Sequence, residues 1–98
     1  MNQSEWRKLL KNLRKHFPVN GTVIVVRRIL KKNFGITITN GIDFRIYIDK
    51  SQSQEVQRET LLHEWAHIKT IETSLEHCGD WGIWYANIYN NWLHNFGV

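Results

Sequence analysis

The sequence has few of the residues that would stabilise a fold by covalent links or anchor it in a membrane. Its 98 residues include one cysteine, Cys78, and one proline. A lone cysteine excludes an intramolecular disulfide and a cysteine-rich zinc finger. No uninterrupted apolar run approaches the roughly 20 residues of a membrane span, and the first residues lead directly into a charged amphipathic segment instead of a signal peptide. We therefore expect one domain over residues 1–98, cytoplasmic and without a membrane partner.

Acidic residues are scarce in the first half of the chain. Residues 1–50 contain eleven Lys and Arg against three Asp and Glu, a balance of +8, whereas residues 51–98 carry −4. Such asymmetry raises the question of an anionic partner. A basic helix face that is simply solvated is the commoner explanation, and DNA binding through the basic N-terminal half is the alternative.

Hydrophobic spacing predicts a helix and then a strand in the first third of the chain. Apolar side chains from Trp6 to Phe17 recur three or four residues apart, and Ser4 precedes them as the expected N-cap. Pro18 should end this helix, because proline does not fit a helix interior. Residues 22–30 are rich in Val and Ile, which favour a strand over another helix.

Two alternating segments follow and predict a hairpin. Residues 34–39 and 42–49 place apolar side chains at every second position, and Asn40-Gly41 between them is a strong signal for a two-residue turn. The side chains expected to face the core are Phe34, Ile36, Ile38, Ile42, Phe44, Ile46 and Ile48. Residues 22–49 should therefore form a small three-stranded, mainly antiparallel sheet.

Two helices are predicted in the second half. Ser51 and Gln54 fit a capping box at the start of a helix over residues 52–71. A last helix, ending at Gly97, has an aromatic face at helical spacing. That face comprises Trp81, Trp84, Tyr85, Ile88, Tyr89 and Trp92. The order of one helix, three strands and two helices makes the chain an α+β domain.

The middle helix contains the pattern H-E-x-x-H. His63 and His67 are four residues apart, so both imidazoles lie on one helix face and can bind one metal ion. Zinc accepts imidazole nitrogens in four-coordinate sites. Glu64 lies near the same face, where its carboxylate can take a proton from a metal-bound water. The pattern therefore indicates a hydrolytic zinc site.

A catalytic zinc site needs a third protein ligand and an open fourth position. His77 is the best candidate, because it follows His67 by ten residues in a glycine-containing segment that can fold back. Asp80 is the second candidate, although it also suits the N-cap of the last helix. Cys78 and Glu76 are weaker choices.

Two segments of the chain resemble the SprT-like zinc metallopeptidases, and the tail resembles small phage-encoded members of that group. The first segment is residues 61–67, which hold the H-E-x-x-H pattern, and the second runs from His77 to Trp81. In this family a third histidine follows the motif, and an aromatic residue stands four positions after that histidine. The resemblance implies a minimal zincin-like domain that hydrolyses peptide bonds in a protein or peptide substrate.

The resemblance also implies roles for individual residues. His63, His67 and His77 would bind Zn²⁺, and Glu64 would be the general base. Trp81 would pack below the site, in agreement with its place in the aromatic face of the last helix.

Peptide hydrolysis requires two further features. In zincins the substrate lies extended along an edge strand above the active-site helix, and residues 42–49 are the expected strand here. The oxyanion needs a donor besides the metal. Tyr47, Tyr85 and Tyr89 are all candidates for that donor.

Two other functions compete with hydrolysis. One is a non-catalytic, zinc-stabilised module that binds nucleic acid through its basic half, including Arg27, Arg28, Lys31 and Lys32. Such a module would have no need of Glu64. The other is a metallopeptidase-like regulator that acts on one dedicated partner protein.

Overall fold

Three helices and three strands make up the fold. The computed structural model describes residues 3–73 and 80–96. The elements are α1 (Gln3–His16), β1 (Val23–Arg28), β2 (Gly35–Thr39), β3 (Phe44–Asp49), α2 (Gln54–Thr73) and α3 (Asp80–Phe96). The predicted α+β class and the order of the elements are confirmed.

The sheet is mixed, with β3 in the middle of the order β1-β3-β2. β2 pairs antiparallel with β3, as the hairpin signal predicts, but β1 pairs parallel with β3. The prediction of a mainly antiparallel sheet is therefore wrong. Successive strands do reverse direction, so β1 and β3 point the same way. Because β3 lies between β1 and β2, these two parallel strands become neighbours. The central place goes to the strand with the best buried side chains, Phe44, Ile46 and Ile48.

One face of the sheet is covered by the helices, and the core lies between them. Burial of this apolar surface is the main stabilising term of such a fold. Besides the three β3 side chains, the core contains Trp6, Leu9, Leu13, Val23, Leu61, Leu62, Trp65, Ala66, Ile68 and Ile88. The predicted apolar faces of α1 and α2 are thus confirmed.

The apolar residues of β2 face away from the core. The register places Thr37 opposite the buried Ile46, so Thr37 faces the helices and its neighbours Ile36 and Ile38 face outward. Ile38 is 55% exposed, and Phe34 before the strand is 59% exposed. The prediction that these apolar side chains are buried is wrong, because adjacent strand residues point to opposite faces and pairing with β3 fixes which face is covered.

The hairpin between β2 and β3 is present, but its loop is longer than predicted. The last residue of β2 pairs with the first of β3, so the loop has the four residues 40–43 instead of two. Gly41 alone has positive φ among the described residues, at 96°. The Asn40 side chain closes the loop by accepting the backbone N–H groups of Ile42 and Asp43. Ile42, a predicted core residue, is 71% exposed at this turn.

Both predicted N-caps are wrong. Ser4 lies inside α1 instead of before it. Ser51 donates its hydroxyl to Asp49, 2.7 Å away, and so does not cap α2. Ser53 takes that role, since its Oγ accepts the N–H of Val56 at 3.2 Å. The hydroxyl of Ser51 is therefore used by Asp49, at the end of β3, and is not available to cap α2.

The aromatic face of α3 packs on the core as predicted. Ile88 is fully buried, and the other members of the face are partly buried against the core. Gly97, the predicted end of this helix, lies outside the described residues. Among the helices that the structure describes, none has both the length and the apolar character to cross a bilayer.

Candidate metal centre

Helix α2 is both a core element and the carrier of the H-E-x-x-H pattern. Leu62 and Ala66 are fully buried, whereas His63 and His67 are exposed on another face of the same helix. Glu64 is half-buried between these two surfaces. The 3.6-residue period of the helix therefore keeps the histidines at the surface while their neighbours anchor the helix.

The two histidines converge. His63 Nε2 and His67 Nε2 lie 3.0 Å apart, and the two rings are 4.7 Å apart between centroids at 69° to one another. Two imidazole nitrogens bound to one tetrahedral zinc ion lie roughly 3.3 Å apart. Burial lowers the pKa of His67, and the positive charge of a protonated His63 lowers it further. Both effects favour the neutral imidazole, which is the form that binds metal.

The Glu64 carboxylate is held by a residue of the sheet. Thr37 Oγ1, in the middle of β2, donates to Glu64 Oε2 of α2 at 2.5 Å. This contact is not visible in the sequence, because the alternation of residues 34–39 places Thr37 on the face opposite the predicted core. The hydrogen bond fixes one carboxylate oxygen and leaves the other for a proton.

The contact between Thr37 and Glu64 depends on how closely β2 approaches α2. Gly35 is the point of closest approach: a Cβ at this position would lie 2.5 Å from Thr60 Cγ2 and 3.2 Å from the Tyr47 carbonyl oxygen. Only glycine fits such spacing without a shift of the strand or helix. The sequence shows a glycine within a predicted strand, which is a sign of close packing. It does not show that Thr60 of α2 is the neighbour of this glycine.

The first turn of α3 contacts both histidines. The Trp81 ring is 4.9 Å from that of His63 and 5.3 Å from that of His67, nearly parallel to the latter. Trp81 Nε1 also approaches the His63 carbonyl oxygen at 3.4 Å. The expected packing of Trp81 beside the site is therefore observed.

The third ligand is not placed by the structure. His77, Cys78 and Glu76 lie outside the described residues, and the side chain of Asp80 does as well. Among the side chains that the structure describes, no third His, Cys, Asp or Glu joins the pair of histidines.

A cleft of about 400 Å³ opens beside the motif. His63 and Glu64 line it from α2, Gly35 from β2 and Tyr85 from α3, and Glu59 adds a second carboxylate. No Lys or Arg of the described residues lines this cleft. The charged groups that line it are therefore the carboxylates of Glu59 and Glu64, beside the imidazole of His63.

Tyr85 is the tyrosine that lies at this cleft. Its ring is 6.1 Å from that of His63, whereas Tyr47 lies on the outer face of the sheet beside Arg28. Tyr89 stacks on the far side of Tyr85 and does not line the cleft. Burial, followed by the charges of neighbouring groups, raises the pKa of Tyr85, so its phenol keeps its proton as a donor.

The predicted substrate strand is wrong. Residues 42–49 include β3, and both edges of β3 are already hydrogen-bonded to β1 and β2. A further strand cannot add there. The strand with an unpaired edge at the cleft is β2, because it is the outer strand on that side.

No protein-family model matches the chain, and no curated protein or solved structure is significantly similar to it. The SprT-like resemblance of residues 61–67 and 77–81 therefore stays a hypothesis.

Proposed function

We propose that this protein is a zinc-dependent metallopeptidase of the SprT-like kind, acting on a protein or peptide substrate in the cytoplasm. The observation that carries the proposal is the convergence of His63 Nε2 and His67 Nε2 to 3.0 Å beside a fixed glutamate and an open cleft. His77 is proposed as the third ligand. It stands four positions before Trp81, whose ring touches both histidines.

The donor set fits zinc, because two neutral imidazoles a turn apart are ordinary ligands of that ion. Zinc bound here would polarise a peptide carbonyl and acidify its bound water. Glu64 would take the proton of that water and pass it to the leaving amine. Thr37 would hold the carboxylate in place through its 2.5 Å hydrogen bond, and a fixed base loses less entropy on reaching the reactive geometry.

The substrate is proposed to bind along β2. The free edge of this strand presents backbone N–H and C=O groups that an extended peptide can pair with, and Gly35 at its start lines the cleft with Glu64. Tyr85 faces the strand across the cleft and is the proposed oxyanion donor. Of the three tyrosines considered as donors, Tyr85 is the one that lines the cleft.

A non-catalytic zinc module is the less favoured function. Structural zinc binding would use the histidines and leave Glu64 without a role. Here Glu64 is positioned by a specific hydrogen bond and borders an open cleft, which is what a general base requires. A regulator with one dedicated partner differs from the proposed enzyme only in its substrate range.

Zinc content per chain, measured by elemental analysis after reconstitution, tests the metal site. We expect about one zinc in the wild type and a large loss in His77→Ala. His16→Ala and His94→Ala are matched controls, because both histidines are exposed on other parts of helices. Full zinc content in His77→Ala would mean that the third ligand is Asp80 or Cys78 and not His77. No zinc in the wild type would overturn the proposal.

A further inference from the structure

A second cavity, of about 620 Å³, lies between the start of α1, the end of β1 and the start of α2. Its charged lining consists of three cations, Arg7, Arg27 and Lys50, and its neutral polar lining consists of Gln3 and Gln57. No carboxylate among the described residues lines this cavity. The lining is therefore the reverse of that of the histidine cleft.

The parallel pairing of β1 with β3 brings these cations together. Parallel strands end at the same edge, so Arg27 near the end of β1 and Lys50 just after β3 become neighbours. The backbone N–H of Lys50 donates to the Arg28 carbonyl at 3.1 Å and fixes this edge. α1 adds Arg7, and the Arg27 guanidinium lies 4.6 Å from the Trp6 ring.

Among the described residues, no ion pair neutralises the charges of this cavity. Ion pairs in the described part of the chain lie within α2, where Arg58 and Lys69 contact glutamates of the same helix. Arg7, Arg27 and Lys50 have no such carboxylate contact among those residues. Three uncompensated cations around one cavity create a field that attracts anions.

The carboxylate at this edge of the sheet is already occupied. Asp49 Oδ1 accepts the Ser51 hydroxyl at 2.7 Å and the Ser51 N–H at 3.0 Å. Its other oxygen accepts Gln52 Nε2 at 3.1 Å. All of these donors are neutral, and Asp49 forms no ion pair with a cation of the cavity among the described residues.

We infer that this cavity binds the phosphate group of a phosphate-bearing ligand, through Arg7, Arg27 and Lys50. Guanidinium groups match phosphate oxygens in a bidentate manner, and a lysine adds a point charge. Trp6 is 5% exposed and so offers no ring face for a base to stack on. Recognition is therefore of the phosphate, independent of any base, and it does not rest on the proposed peptidase activity.

Two sources can supply such a phosphate, a small phosphate compound or the backbone of a nucleic-acid strand. Arg28 lies on the other face of the sheet beside Tyr47, and Lys31 and Lys32 line a separate cavity together with Asp49. The three cations of the cavity suit either source, and the experiment distinguishes the two. Pyrophosphate and a fluorescein-labelled 15-nucleotide oligothymidylate are probes for the two sources.

The experiment measures binding of both probes to the full chain at low salt, by calorimetry for pyrophosphate and by anisotropy for the oligonucleotide. The test variant is Arg7→Gln with Lys50→Gln, since both side chains are exposed and their loss should not disturb the core. The control is Lys8→Gln with Lys15→Gln, which removes the same charge from α1 outside the cavity. We expect at least a tenfold loss in the test variant and less than threefold in the control, with unchanged thermal unfolding in both.

The outcomes separate the sources and can overturn the inference. A cavity-dependent loss for the oligonucleotide supports a strand, with a salt dependence flatter by about 0.7 per lost phosphate contact. A cavity-dependent loss for pyrophosphate alone supports a small phosphate ligand. Equal losses in the test and control variants, or no binding of either probe by the wild type, would overturn it. Glu64→Gln should bind both probes as the wild type does, so failure of the peptidase proposal leaves this result standing.

Discussion

The cleft beside β2 and the cavity beside β1 lie at opposite edges of one three-stranded sheet, and they are built in different ways. The cleft takes His63 and Glu64, two adjacent residues of the H-E-x-x-H pattern, from one helix. The cavity takes its cations from Arg7, Arg27 and Lys50, which come from three elements. These two residues of the cleft are therefore close together in the sequence. Those of the cavity are distant in the sequence, and the parallel pairing of β1 with β3 brings Arg27 and Lys50 together.

The two sites also differ in charge. Glu59 and Glu64 line the cleft without a cation, and three cations line the cavity without a carboxylate, among the described residues. The separation of charge along the sequence has thus become a separation across the sheet. This arrangement agrees with the two proposals, a phosphate group at the β1 edge and a metal ion at the β2 edge.

Glu64→Gln should produce the largest difference between the two edges. Loss of a general base typically costs about 10²–10⁴-fold in rate, so we expect cleavage of unfolded protein substrates to fall by that order. Zinc content should stay near that of the wild type, because the ligands are unchanged. Cleavage is followed by gel and mass spectrometry, with zinc measured on the same samples. Wild-type cleavage by this variant would refute Glu64 as the base.

Thr37→Val tests the support that β2 gives to the cleft. The hydroxyl that holds Glu64 at 2.5 Å is lost while the side-chain shape is kept. We expect activity to fall by about tenfold with zinc retained, as for other groups that position a metal-site residue. Thr39→Val is the control, since its hydroxyl serves the hairpin by bonding the Asp43 carbonyl. Equal losses in both variants would show a general effect on the strand instead.

Gly35→Ala tests the close approach of β2 to α2. The new methyl group would lie 2.5 Å from Thr60 Cγ2, and overpacking of this kind costs about 1–3 kcal/mol of stability. Thr60→Ser removes Cγ2 and keeps a hydroxyl for the Val56 carbonyl, so the double variant should recover part of the loss. Gly82 is exposed on α3, and a Cβ at this position would have no neighbour within 4 Å. Gly82→Ala should therefore stabilise the fold by about 0.5–1 kcal/mol. Chemical denaturation measures all four proteins, and a Gly35→Ala variant as stable as the wild type would refute the tight contact.

The sequence was sufficient where a local pattern decides the structure. The helical spacing of α1 and α3 and the alternation of β3 predicted which side chains are buried, because one face of each element must pack on the core. The histidine pair was predicted for the same reason, since a four-residue interval on a helix leaves little choice of geometry. Placement of His77 depends on residues outside the described ones and stays a prediction.

Strand order and strand register could not be predicted, and the errors about the sheet follow from them. Once β3 lies between its neighbours, the pairing of β1 becomes parallel, and residues 42–49 lose the free edge expected for substrate. The outward turn of Ile36 and Ile38 follows from the register with β3. The contact of Thr37 with Glu64 arises from the same pairing. Non-local pairing leaves no periodic signal in either partner, and so these features appear only in three dimensions.

Substitution of Asp49 should have the smallest effect of these variants. It tests whether this carboxylate compensates the cations near the end of β1. The Ser51 hydroxyl and backbone N–H, with Gln52, lower the pKa of Asp49 to about 2 from an ordinary value of 3.8. A carboxyl group with a depressed pKa in the folded state stabilises the fold above pH 4, and this contribution is lost as the pH falls toward 2. Asp49→Asn should therefore remove part of the acid dependence of unfolding, measured by thermal melts between pH 5 and 2.

The salt dependence of that pKa shows whether Asp49 compensates the cations. Hydrogen bonds from Ser51 and Gln52 are short-range and should hold the pKa nearly constant between 20 and 500 mM NaCl, whereas attraction to exposed cations is screened over about 10 Å at 0.1 M salt. Carboxyl NMR titration at both salt concentrations distinguishes the two causes, and Ser51→Ala should raise the pKa at either one. A pKa that returns to its ordinary value in high salt would make Asp49 the counter-ion of this edge. The contrast between a cleft lined by two carboxylates and a cavity lined by uncompensated cations would then no longer hold.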